Sequence, residues 1–187
     1  MRSYAIAIGL ALAGCGGDGG GVGADAPGGV GEPAELAGMT LYHNQARAAV
    51  QTSPPLDPLA WDPQLAAYAA AWAAKCQDVD APIGLIDHDP NRTNVAGYTF
   101  IGENIFASGG ATATAKAAVD SWVGEGTDYD PATGTCASGK ICGHYTQVTW
   151  RTTTHVGCAL HNCAGLMYPS SIVCDYGPAG NSGGKAY

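Results

Sequence analysis

The sequence predicts an α+β fold, and three observations carry that prediction. Apolar residues recur at helical spacing in three separate segments before residue 125. Two apolar, β-rich segments, residues 156–162 and 172–176, follow and are joined by a turn containing Gly165 and Pro169. Six cysteines, from Cys76 onward, are distributed over both parts. A 3.6-residue period places one helix face on a core, and two β-rich runs around a turn read as an antiparallel hairpin. At 187 residues the chain has room for one domain with a real core.

The chain opens with Arg2, an apolar run over residues 4–12, and Ala13-Gly14 before Cys15. This reads as an export signal, since a membrane span needs ~20 apolar residues. Leu12-Ala13-Gly14-Cys15 resembles a bacterial lipobox, in which the cysteine thiol is acylated and anchors the exported protein to the cell envelope. That reading also accounts for the odd total of seven cysteines. Residues 15–33 are rich in Gly and buryable apolar groups are scarce, so they read as a flexible tether. Gly19 to Gly23 is not a phosphate loop, because no strand precedes it and no helix opens from it. The folded domain is expected over residues 34–187.

The first helix is expected from Pro33 to about Val50, with Leu36, Met39, Tyr42, His43 and Ala46 in phase. His43 and Arg47 then stand one turn apart on one face. Pro54-Pro55 ends this element. Asp62-Pro63 starts a second helix, Asp as N-cap and Pro at the first helical position, with Trp61, Leu65, Tyr68 or Ala69, and Trp72 as its buried stripe to about Cys76. Residues 77–100 read as irregular, with His88 between Asp87 and Asp89 and a glycosylation sequon at Asn91-Arg92-Thr93. A short strand is expected over residues 100–106, and a third helix over residues 112–125 on Ala115, Ala118 or Val119, and Trp122. Beyond the C-terminal hairpin the tail is Gly-rich and is expected to be loose after Asn181.

Composition excludes some partners. Only 13% of residues are charged and acids outnumber bases 16 to 8, so there is no basic field to hold nucleic acid or to grip anionic lipid. Seven cysteines in so short a chain suit an oxidising compartment.

Four separated motifs then stand out: His43-Asn44-x-x-Arg47; Gly102-Glu103-Asn104-Ile105; Gly143-His144-Tyr145-Thr146-Gln147-Val148-x-Trp150; and Cys174-Asp175-Tyr176-x-Pro178-x-Gly180-Asn181. In this order they resemble the CAP superfamily of cysteine-rich secretory, antigen 5 and plant class 1 pathogenesis-related proteins, over about residues 36–181. The resemblance implies a three-layer α-β-α sandwich, an antiparallel sheet covered by helices on both faces. For residues 144–150 the β-branched content favours strand, whereas the resemblance implies a short helix, which we adopt. Six cysteines allow many pairings; the resemblance implies Cys76 with Cys163, Cys136 with Cys142, and Cys158 with Cys174.

The resemblance also places a cavity tetrad on His88, Glu103, Glu125 and His144. Two imidazoles and two carboxylates suit a divalent metal such as zinc, with the histidines as direct ligands and the glutamates orienting them or acting through water. Asp175 stands where the family has Asn. His43, Asn44, Arg47, Asn104, Trp150 and Tyr176 are read as structural. The expected function is capture of a lipid, sterol, peptide or glycan at the cleft of an exported protein. One alternative is a metal-dependent peptidase or esterase with Glu103 or Glu125 as base; another is a disulfide-stapled surface protein with no ligand. The chain has no His-Glu-x-x-His and no Gly-x-Ser-x-Gly.

Overall fold

The computed structural model describes residues 31–81 and 83–187. The expected export signal, Cys15 and the expected tether as far as residue 30 lie outside the described residues.

A short 3-10 turn, Ala34–Leu36, precedes helix α1 (Met39–Ala49). The first helix is therefore shorter than expected, because Gly38 takes a left-handed φ of 88° and breaks the run. The Glu32 carboxylate accepts from the backbone N–H groups of Gly38 and Thr40, at 2.9 and 2.6 Å. Strand β1 (Ala60–Trp61) leads into α2 (Pro63–Ala73), where Asp62 accepts from the N–H groups of Gln64 and Leu65 as the N-cap predicted. Residues 77–100 are not wholly irregular. They contain a hairpin of β2 (Thr93–Val95) and β3 (Tyr98–Phe100), which the sequence reading missed because Asn94, Ala96 and Gly97 all take positive φ in so short a turn.

Strand β4 (Gly102–Ser108) is followed by α3 (Ala115–Gly124), capped by Thr114, and by a 3-10 turn Glu125–Asp128. A small ladder of β5 (Tyr129–Asp130) and β6 (Thr135–Cys136) precedes the short helix α4 (Gly143–Val148). The C-terminal hairpin is β7 (His155–Asn162) and β8 (Ser170–Gly177).

The main sheet has the order β1-β7-β8-β4, antiparallel except for the two-residue β1, which joins β7 in parallel. Alternation along β8 divides the core. Ile172, Cys174 and Tyr176 face Leu36 of the 3-10 turn and Met39, Val119, Trp122 and Val148 of the α1, α3 and α4 layer. Val173 faces Ala69, Trp72 and Ala73 of α2 on the other side. Gly157 permits this close approach, since a Cβ there would strike the α2 backbone at Ala66 and Leu65. The result is the three-layer sandwich.

The disulfides are Cys76–Cys163, Cys136–Cys142 and Cys158–Cys174. The last joins directly opposed residues of β7 and β8. Buried Arg47 donates to the carbonyls of Asp57, Val148, Trp150 and Thr153, so it ties α1 to the exit of α4. Asn44 makes a reciprocal pair with the Leu59 backbone at 3.0 and 2.7 Å.

The tail departs from expectation. Ala186 is buried, its N–H donates to the Tyr129 hydroxyl at 3.0 Å and its carbonyl accepts from Arg151 N–H at 2.8 Å. Tyr187 packs on Tyr129 and Tyr145. These aromatic anchors offset the entropy of the glycines before them.

Candidate functional site

Strand β4 is one edge of the sheet, and its alternation sends neighbouring side chains to opposite faces. Gly102 and Asn104 face α4: a Cβ on Gly102 would strike Gln147, and Asn104 Nδ2 donates to His144 O at 3.1 Å and to the Tyr176 hydroxyl at 3.2 Å. Glu103, between them, faces the α2 side, opposite Asp175 on β8. A cleft of about 680 Å³ wraps this edge, and His88, Glu103, Asn104, His144 and Gln147 line it. Phe100 and Ile141 stand on the same cleft as exposed apolar side chains, 61% and 70% accessible.

The four predicted residues form two imidazole–carboxylate pairs. His88 Nδ1 lies 2.5 Å from Glu103 Oε1, which also accepts from Asp89 N–H at 3.1 Å, with Arg92 Nη1 at 3.9 Å. His144 Nδ1 lies 2.6 Å from Glu125 Oε1. The second oxygen of Glu125 accepts from the N–H groups of His144 and Tyr145 at the start of α4, at 3.0 and 3.2 Å. Trp122 stacks beside His144, ring centroids 6.4 Å apart. Glu125 therefore sits behind His144 and holds its ring and its backbone together.

A carboxylate on Nδ1 favours the tautomer in which Nδ1–H donates, which leaves the Nε2 lone pair of each ring for another partner. The donor set thus fits a divalent ion held by His88 and His144. The tetrad is not closed into one cluster, however. Among the described residues, the three donors within 4.8 Å of one another are Cys76, His161 and Cys163, and two of those sulfurs are bonded to each other.

Behind the first pair lies a group the sequence reading noted only as a departure from the family. Asp175 is fully buried, and neither of its oxygens has a hydrogen-bond partner. Burial, reinforced by the charges of Glu103 and Asp89 and opposed by Arg92, pushes its carboxyl up to about 9, so it keeps its proton at neutral pH. Glu103 Oε2 is likewise buried without a partner. On the other face, burial and the nearby Arg47 charge lower His43 to about 4 against the Met39 carbonyl, which acts the other way. Neutral His43 bridges Met39 O and the Tyr176 hydroxyl, each at 2.8 Å.

The same pattern of motifs has been met elsewhere. A family profile described as CAP, the cysteine-rich secretory protein family, matches residues 41–176. The chain belongs to the CAP family. It is 39% identical over 143 residues to a PR-1 type pathogenesis-related protein of Sambucus nigra, covering 76% of this chain and 75% of that one. It is 40% identical over 144 residues to pathogenesis-related protein 1A of Nicotiana tabacum, with coverage of 77% and 75%. Its CAP fold is similar to that of the venom allergen-like protein 4 of Schistosoma mansoni, with a TM-score of 0.65 at 25% identity over 83% of this chain and 95% of that one. It is similar also to NaASP2, solved with Zn2+, with a TM-score of 0.59 at 28% identity over 80% and 82%.

Sequence reasoning missed two cleft residues of this CAP domain. Gln147 stood within the Gly143–Trp150 motif, but nothing local shows that its amide accepts from Gly180 N–H at 3.0 Å and closes the cleft wall. Arg92 was read only as the middle of a sequon, although it is the cation nearest Glu103.

Proposed function

We propose that this CAP protein captures a ligand at the β4-edge cleft around a divalent metal, zinc, held by His88 and His144 and oriented by Glu103 and Glu125. The observation that carries this reading is the matched pairing: each imidazole has its Nδ1 on a carboxylate, and both rings line one cleft. When bound, the metal supplies a Lewis-acidic point for a carbonyl, carboxylate or hydroxyl of the ligand. The polar floor and the exposed Phe100 and Ile141 suit a lipid, sterol, peptide or glycan with both polar and apolar parts. The similarity to a relative solved with Zn2+ supports the choice of ion.

Capture is favoured over hydrolysis by the carboxylates themselves. Both oxygens of Glu125 are already engaged, and the free oxygen of Glu103 is buried. Neither is set to take a proton from an attacking water. The test is casein and ester hydrolysis with zinc and then with a chelator, beside thermal melting. We expect a zinc-dependent rise in Tm without turnover; turnover abolished by both the chelator and Glu103→Ala would overturn the reading.

The anchor belongs to the same proposal. Export and acylation of Cys15 would hold the domain at the bacterial envelope on the tether of residues 15–33. Among the described residues no helix is long and apolar enough to cross a membrane. Incorporation of labelled fatty acid in the host, lost in Cys15→Ser, tests this; equal incorporation in the variant would contradict it.

A further inference from the structure

We infer that reduction of the Cys76–Cys163 disulfide uncovers a second metal site, one for a thiophilic cation such as Zn2+, completed by His161. This site is independent of the cleft, on a different part of the sheet.

The donor atoms of Cys76, His161 and Cys163 already lie within 4.8 Å of one another. Two metal–sulfur bonds of about 2.3 Å span about 4.6 Å, so the three donors stand within one coordination sphere once the sulfurs part. The set is two thiolates and one imidazole, the soft combination that selects zinc over magnesium or calcium. His161 makes no side-chain hydrogen bond to another described residue, so the ring is not committed elsewhere. It also lines a second cleft of about 670 Å³ with Ser108, Asn162 and Ser170, which offers an ion a route from solvent.

Two of the three disulfides, Cys76–Cys163 and Cys136–Cys142, have one half-buried member, and Cys158–Cys174 has none. Cys163 is 1% accessible but its partner Cys76 is half-buried, so an attacking thiolate can reach this bond from the Cys76 side. Cys158 and Cys174 are 2% and 0% accessible and are shielded. A dithiol reductant supplies two electrons and two protons: its own sulfurs join as a disulfide, the Cys76–Cys163 bond breaks, and two thiols form. Both sulfurs lie near the Ala73 carbonyl, at 3.7 and 3.6 Å, an acceptor that favours the thiols until a cation replaces their protons. Binding one divalent ion then releases two protons. The fold survives because α2 remains packed on β7 and β8 through Ala69, Trp72, Ala159 and Val173.

The test uses the full chain carrying His88→Ala, His144→Ala and Cys15→Ser, which removes the cleft ligands and the remaining thiol. After treatment with a dithiol and its removal without oxygen, Co2+ is added as a spectroscopic probe. The expected result is one Co2+ per chain with a thiolate-to-cobalt charge-transfer band that is absent before reduction. His161→Ala weakens binding at least tenfold, and Cys136→Ser with Cys142→Ser leaves it unchanged. A reduced, folded chain with no such band would overturn the inference. So would a band indifferent to His161→Ala, a band lost with the Cys136 and Cys142 pair, or a chain whose far-ultraviolet circular dichroism collapses on reduction and is not restored by Co2+.

Discussion

Asp175 and Glu103 stand directly opposite each other on β8 and β4, both buried, and three of their four carboxylate oxygens, both of Asp175 and Oε2 of Glu103, have no hydrogen-bond partner. Asp175 answers by keeping its proton. Its folded value of about 9 lies above the ordinary 3.8, so between those limits the folded state holds a proton that the unfolded chain has released. The stability that this one group contributes is therefore greatest below about pH 4 and falls by up to about 1.4 kcal/mol per unit as pH rises toward 9. Asp175→Asn, neutral at every pH, is expected to remove that slope and to gain roughly 2 kcal/mol or more at pH 8. Denaturant unfolding of both proteins at pH 5, 6.5 and 8 checks this; parallel profiles would refute it.

His43 works in the opposite direction. Its folded value of about 4 lies below the ordinary 6.5, so the stability tied to neutral His43 is complete above pH 6.5 and is lost as pH falls toward 4. The whole contribution is about 3 kcal/mol. His43→Gln, which keeps a side-chain hydrogen-bonding group, should lower stability at pH 7 and flatten the fall between pH 6.5 and 4. An unchanged acid limb in the variant would show that other groups cause it.

Arg47 is a buried cation satisfied only by carbonyls, of Asp57, Val148, Trp150 and Thr153. Arg47→Lys cannot reach all four with one ammonium, and Arg47→Ala leaves them all without a donor. We expect a loss of about 3 kcal/mol or more for Ala and a smaller loss for Lys, measured by denaturant midpoint. Because Val148 ends α4, hydrogen exchange at Gly143–Val148 should also accelerate.

Deleting Ala186 and Tyr187 removes the buried Ala186 and the Tyr145–Tyr187 hydroxyl contact at 2.8 Å. The deletion should cost about 2 kcal/mol in denaturant unfolding. No loss of stability would restore the reading of a loose tail.

The fold was legible wherever a local rule decided it. Asp62-Pro63 announced α2, alternation announced β7 and β8, and the order of four motifs gave the family and with it the disulfide pairing. What local rules could not reach was nonlocal. The β2 and β3 hairpin depends on positive φ at Asn94 and Ala96, residues with no glycine signature. The packed tail depends on Tyr129 and Arg151, remote in sequence. In the cleft, the four tetrad positions came from the resemblance, whereas the protonated Asp175 behind Glu103 emerges only when β4 and β8 are laid side by side.

In the proposed site His88 and His144 hold a metal that Glu103 and Glu125 orient. Glu103→Gln and Glu125→Gln should each weaken zinc binding by about 10 to 100-fold, since the orienting partner of a ligating imidazole has an effect of that size. The most direct measurement is calorimetric titration of zinc at neutral pH into the oxidised protein and into its His88→Ala, His144→Ala variant. One zinc per chain is expected in the first and none in the second. No uptake in the first, or equal uptake in both, would contradict it.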